Sequence, residues 1–83
     1  MRNINHLQVA ANFAGFIQAN YRTWDELWKI TEKPLQIMYN YEDVKETYTL
    51  VRNTQDSIKA YDQEGRNPIT FHNKGGYARF DFI

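Results

Sequence analysis

The side chains able to do chemistry in this chain are few and scattered. It holds two histidines, His6 and His72, one serine, Ser57, and no cysteine. Without thiols there can be no disulfide, thiolate zinc site, iron–sulfur cluster or cysteine nucleophile. The two histidines are remote in sequence and neither belongs to a paired metal-binding spacing. Ser57 lacks the glycine-flanked elbow of a hydrolase nucleophile. The stretch "NKGG" (73–76) lacks the G-x-x-x-x-G-K-[ST] pattern of a phosphate loop and no helix follows it, so it reads as a hairpin turn. Adjacent carboxylates at Asp25–Glu26 and Glu42–Asp43 are explained by helix capping and turn formation. A dispersed Tyr/His/Asp site is the only catalytic arrangement these residues leave open, and no motif points to it. The expectation is a protein that is not an enzyme and uses no cofactor and no metal.

What remains is recognition chemistry. If the C-terminal half folds as an antiparallel meander, one face carries Lys59, Tyr61, Thr70, His72, Tyr77, Arg79 and Asp81. Tyrosine and arginine are enriched among the residues that dominate protein–protein binding energies. Aromatic and basic groups on an open sheet also resemble in kind a surface on which single-stranded bases stack. The candidate partner-binding residues are therefore Lys59, Tyr61, His72, Tyr77 and Arg79. Ten basic and ten acidic residues cancel, whereas nonspecific nucleic-acid binders usually carry a basic excess.

Positioning that face requires the following elements. Eighty-three residues make a single domain, 1–83. Such a domain buries roughly 60–65% of the surface its unfolded chain exposes. Between Asn5 and Tyr21, the residues Leu7, Val9, Ala10, Phe13, Ala14, Phe16, Ile17 and Tyr21 fall on one side of a helical wheel, with Asn5 placed to cap it. A second helix starts at "TWDE", where Thr23 and Glu26 form a capping-box pattern. Trp24, Leu27, Trp28 and Ile30 are its apolar side, and Pro34 stops it near Lys33. The segments beginning at 35, 47, 57, 68 and 77 are separated by turn chemistry at about ten-residue intervals, as successive strands are. The predicted fold is α+β: two N-terminal helices packed on an antiparallel β-meander of four to five strands. The alternative is a mostly α protein with a helix over 43–64 and a C-terminal β-hairpin.

Parity supports the meander. With a two-residue turn at Glu64-Gly65 and another centred on Lys74-Gly75, Ile58 faces Phe71 and Ala78, and Ala60 faces Ile69 and Phe80. All the apolar residues of the last three strands then share one face. The outer edge of the last strand, "YARFDFI", could be met by the "LQIMYNY" strand closing a small barrel, by a second copy, or by a strand of another protein. The opposite side of the first helix carries no charge, and its Ala11, Gly15 and Ala19 stand four apart, which would let another backbone approach. A helix-turn-helix reading fails because Asp25 and Glu26 would lead the recognition helix into phosphate.

The function expected on these grounds is a small non-enzymatic protein-binding module, an inhibitor or regulator of a larger protein or complex, of the size of a viral or mobile-element accessory protein. The alternatives are a single-stranded nucleic-acid-binding sheet and a structural homo-oligomer joined through helix one or the C-terminal edge strand. The absence of cysteine, signal peptide and apolar span predicts a cytoplasmic protein with no membrane partner.

Overall fold

A computed structural model describes residues 6–82, the side chain of Phe82 excepted. Helices α1 (His6–Asn20) and α2 (Trp24–Ile30) are followed by strands β1 (Leu35–Tyr41), β2 (Val44–Thr54), β3 (Ser57–Tyr61), β4 (Ile69–Lys74) and β5 (Tyr77–Phe82). The strands form one antiparallel sheet in the order β1-β2-β3-β4-β5. This is the predicted α+β meander, and no helix forms over 43–64. The β-branched and aromatic run "TYTLV" pairs on both sides within β2, where it packs better than in a helix.

Both helices lie on one face of the sheet. Val9, Ala10, Phe13, Ala14 and Ile17 of α1 are buried with Trp24 and Leu27 of α2. They meet Tyr48, Leu50, Ile58, Ala60, Ile69, Phe71 and Ala78 from the sheet. Phe13 lies flat on Tyr48 with ring centroids 4.1 Å apart. Each of these large side chains contributes about 1.5–3 kcal/mol by leaving water.

The buried stripe of α1 is narrower than expected. Leu7 and Phe16 are 55% and 40% exposed, because α1 crosses the sheet obliquely. Near its start Gln8 donates to the Tyr41 hydroxyl at 3.2 Å, and near its end Gln18 donates to the Ala78 carbonyl at 2.9 Å. Phe16 sits at the margin of the core against Phe13 and Tyr39. The expected cap, Asn5, lies outside the described residues. For α2 the cap is present: Thr23 has extended backbone and its hydroxyl accepts from the Glu26 N–H at 3.3 Å. The helix stops at Ile30, earlier than Pro34 requires, because Thr31 turns back and donates to the Leu27 and Trp28 carbonyls.

Two predicted turns are corrected. The last hairpin is centred on Gly75-Gly76, with Lys74 opposite Tyr77. Both glycines have positive φ, 61° and 91°, which a two-residue hairpin turn demands and which a lysine resists. Phe71 therefore faces Phe80, and Ala78 faces Asn73. The shift is two residues, so the faces are kept. The β3–β4 connection is a longer loop instead of a two-residue Glu64-Gly65 turn. The buried carboxylate of Asp62 organises it: Oδ1 accepts from the Glu64 and Arg66 N–H groups, and Oδ2 accepts from Arg66 Nε at 2.7 Å.

The strand "LQIMYNY" does not close a barrel with β5; the two are opposite edges. The beginning of β5 is instead covered by the connection between the helices. Trp24 donates to the Gly76 carbonyl at 2.8 Å, Ala78 donates to the Arg22 carbonyl at 3.4 Å, and Gln18 reaches the Ala78 carbonyl.

Candidate interaction face on the outer side of the sheet

Register places the predicted residues together. Ser57, His72 and Arg79 are cross-strand neighbours, as are Lys59, Thr70 and Asp81. Tyr61 lies opposite Thr49 on β2, and Tyr77 lies opposite Lys74 on β4. By the alternation of strands, Lys59, Tyr61, His72, Tyr77 and Arg79 all sit on the face turned away from the helices. Tyr77 and Arg79 are exposed, whereas Lys59, Tyr61 and His72 are half-buried. Thr70, expected to be wet, is buried between the Lys59 and Asp81 positions. His72 stands within β4 and not beside its turn, a consequence of the Gly75-Gly76 centre. Its Nε2 lies 3.2 Å from Asp81 Oδ2.

Sequence reasoning missed the contribution of the first two strands to this face. Gln36, Met38 and Asn40 of β1 and Lys45, Thr47, Thr49 and Val51 of β2 extend it. The consequence is electrostatic. Among the described residues Lys45, Lys59, Lys74 and Arg79 share the face with a single carboxylate, Asp81. The other acidic residues lie on the helices, in the connections, or on the covered side of the sheet at Glu46. Among the described residues none of these four cations has an ion-pair partner, while Asp81 is engaged by His72. A chain with no net charge thus presents one positive face. The alternation of β2 would have revealed Lys45, had the strand been extended back to Val44 in the sequence reading.

The face has an axis. From Tyr77 at one corner, it runs through Arg79 and His72, then Lys59, to Tyr61 at the opposite corner. Six residues along the strand and two strand spacings separate the tyrosines, about 22 Å in all. Rings that far apart cannot stack adjacent bases as aromatic pairs on single-strand-binding sheets do.

The covered side offers less. Tyr39 and Tyr41 point to the helix side: Tyr39 donates to Asn12 Oδ1 at 3.3 Å, and Tyr41 accepts from Gln8. An open groove of about 480 Å³ runs between α1 and β1, lined by Gln8, Ala11, Asn12, Gly15, Phe16 and Tyr39. Nothing lies within 4 Å of where a Cβ on Gly15 would stand, so the small-residue stripe of α1 is not packed against this chain's own sheet or second helix. Trp24 is core and lies 6.0 Å from Trp28, whose ring carries the Arg52 guanidinium at 3.8 Å. His6 contacts Arg66 through Nδ1 at 3.1 Å, far from His72. Among the described residues no three His, Asp or Glu side chains converge on a point that could hold a metal ion, and no helix is long and apolar enough to cross a membrane. No protein-family model matches the chain, and neither a curated protein nor a solved structure is significantly similar to it.

Proposed function

We propose that this chain is a non-enzymatic binding module that docks the outer face of its sheet on an acidic surface of a larger protein and thereby inhibits or regulates it. The observation that carries the reading is the segregation of charge: four cations without an ion-pair partner among the described residues, and two tyrosines, on one face of a neutral molecule. Such a field speeds encounter with a negative partner and disfavours like-charged ones. Tyr77 supplies an exposed, rigid ring of the kind that anchors interfaces. Single-stranded nucleic acid is the weaker reading, because the tyrosines are too far apart for neighbouring bases and the exposed carboxylate of Asp81 flanks the track beside Arg79 and His72.

The test is affinity capture from an extract of the native cell, followed by reconstitution with the purified retained protein. Tyr77→Ala with Arg79→Ala should weaken that complex at least tenfold, which is about 1.4 kcal/mol. Lys59→Glu should lower its on-rate and salt dependence. Fluorescence anisotropy with a single-stranded oligonucleotide serves as the control. If the double variant retains full affinity, the outer face is not the docking surface. A linear loss of oligonucleotide affinity with log salt would favour nucleic acid instead.

A further inference from the structure

The sheet has two edges, and the chain treats them differently. The start of β5 is covered by Gln18, Arg22 and Trp24. Among the described residues nothing pairs with the outer side of β1. Proteins usually protect such an edge with charge, proline, a bulge or a very short strand. β1 has none of these. Its seven residues, LQIMYNY, are uncharged and proline-free, and pair with β2 without a register break. At its centre Met38 is 72% exposed. Tyr41 and Val44 close a two-residue turn, so they form a hydrogen-bonded pair. Alternation then turns the backbone groups of Gln36, Met38 and Asn40 outward.

We infer that β1 is a homodimerisation edge, pairing antiparallel with β1 of a second copy about a two-fold axis through Met38. The strand is complementary to itself in this register. Leu35 meets Tyr41, Gln36 meets Asn40, Ile37 meets Tyr39, and Met38 meets Met38. Every position is paired: apolar residues meet apolar or aromatic ones, and the two amides meet each other. Moving the axis by one residue either way leaves five pairs and sets Gln36 or Asn40 against Met38. Placing it between residues would pair the helix side of one copy with the outer side of the other. About six backbone hydrogen bonds would form across the junction.

Charge and shape select a second copy as the occupant. A two-fold axis sets each patch against itself, so a charged patch repels its own image. The outer face is excluded on that ground. β1 carries no charge, and neither does α1 from His6 to Asn20. The groove beside Tyr39 opens along the same edge, where the copy's Ile37 would stand next to Tyr39. Exposed Gly15 and half-buried Ala11 allow the two α1 helices to approach above the joined strands. A strand about 23 Å long and a sheet-plus-helix height of about 20 Å give a footprint of about 460 Å² per copy. That is the low end for a specific interface, so a dissociation constant in the micromolar range is expected.

Sedimentation equilibrium from about 5 μM to about 1 mM reads this directly. The wild-type chain should pass from monomer to dimer across that range. Met38→Lys, which places two cations face to face, should weaken the dimer at least tenfold with unchanged far-UV circular dichroism. The register has its own test, because the chain has no cysteine. Met38→Cys should form a disulfide-linked dimer on mild oxidation, since directly opposed Cα atoms stand about 5.5 Å apart. Asn40→Cys should not, because its copies are offset by four residues, about 13 Å along the strand. A wild-type chain that stays monomeric at about 1 mM overturns the proposal, even if an extended peptide of another protein binds the same edge. So does a dimer indifferent to Met38→Lys, or equal crosslinking at both positions.

Discussion

Arg52 stands on the covered face of β2, opposite Ile58, with no carboxylate partner among the described residues. Its guanidinium lies 3.8 Å above the Trp28 ring, and Nη2 donates to the Trp28 carbonyl at the C-terminal end of α2. Against this, Nε is buried without a partner. The favourable side is about 1–2 kcal/mol for a partly desolvated cation on an indole and about 1.5–3 kcal/mol for a charged donor on a carbonyl. The orphan Nε costs about 1–3 kcal/mol. The gains exceed the cost, leaving about 1–2 kcal/mol net. Arg52→Met keeps the aliphatic packing and removes all three effects, so it should destabilise by that amount. Arg52→Lys keeps a cation near the ring and removes the orphan, so it should cost less than Met. Arg52→Ala also opens a cavity and should cost more, about 2–4 kcal/mol. Urea unfolding at 25 °C resolves these differences, because a domain this small has a slope of about 1 kcal/mol per M. The Arg52→Met midpoint should fall by about 1–2 M. A Met variant as stable as wild type would refute the reasoning, since desolvation of the guanidinium would then outweigh what it contacts, as it does in many buried ion pairs.

Two further outcomes follow from particular groups. Asp62→Ala should cost about 2–3 kcal/mol, because two loop N–H groups and the Arg66 guanidinium lose their acceptor at a carboxylate that is 4% exposed. Asp62→Asn keeps Oδ1 and should cost about half as much; equal midpoints for the two variants in urea would mean that charge alone holds the loop. Burial, together with the nearby charges of Glu46 and Asp62, raises the Tyr48 hydroxyl pKa above its ordinary value of 10.0. A raised pKa means the folded state keeps its proton while the unfolded state loses it. The contribution is therefore complete below about pH 10 and falls by about 1.4 kcal/mol per pH unit above it. Tyr48→Phe should flatten that alkaline loss in urea titrations at pH 9 to 11, and an unchanged slope would assign it to other groups.

The fold was legible where one physical rule acts over several residues. Strand alternation placed Ile58, Ala60, Ile69, Phe71, Ala78 and Phe80 on one side because a slip of one residue would have exposed them all. The Thr23 cap was legible because side-chain and backbone chemistry at a helix start is local. The misses are sites where a distant partner decides. Arg52 shares strand parity with Tyr48 and Leu50, but nothing near it in sequence shows that α2 brings the Trp28 carbonyl and ring above it. Asp62 ends the strand run "SIKAYD", and nothing local shows that its carboxylate replaces the tight Glu64-Gly65 turn with a loop built around itself. Leu7 and Phe16 fit the apolar arc of α1, but the helix crosses the sheet at an angle that leaves both outside the core. The site was legible only in part for the same reason. The meander parity supplied Lys59, Tyr61, His72, Tyr77 and Arg79, while the extra cation at Lys45 depended on where β2 begins.

The two edges and the outer face bear on one another. Directly opposed residues in an antiparallel pair share a face, so a two-fold axis through Met38 leaves both sets of helices on one side of a continuous sheet. Both positive faces are then on the other side. Lys59 and its symmetry copy would be separated by five strand spacings and about eight residues along the strand, about 36 Å in all. An acidic partner long enough to span them would meet two tyrosine-flanked tracks at once, and the second contact would form at the high effective concentration that a rigid junction supplies. A partner too short to span them would gain nothing from the dimer. The coverage of β5 by Gln18, Arg22 and Trp24 gives this arrangement a limit. With the start of one edge hydrogen-bonded to the helix connection at Gly76 and Ala78 and the other paired with its own copy, a third chain would find less edge to join. A neutral sheet with both edges bare would have continued to add strands.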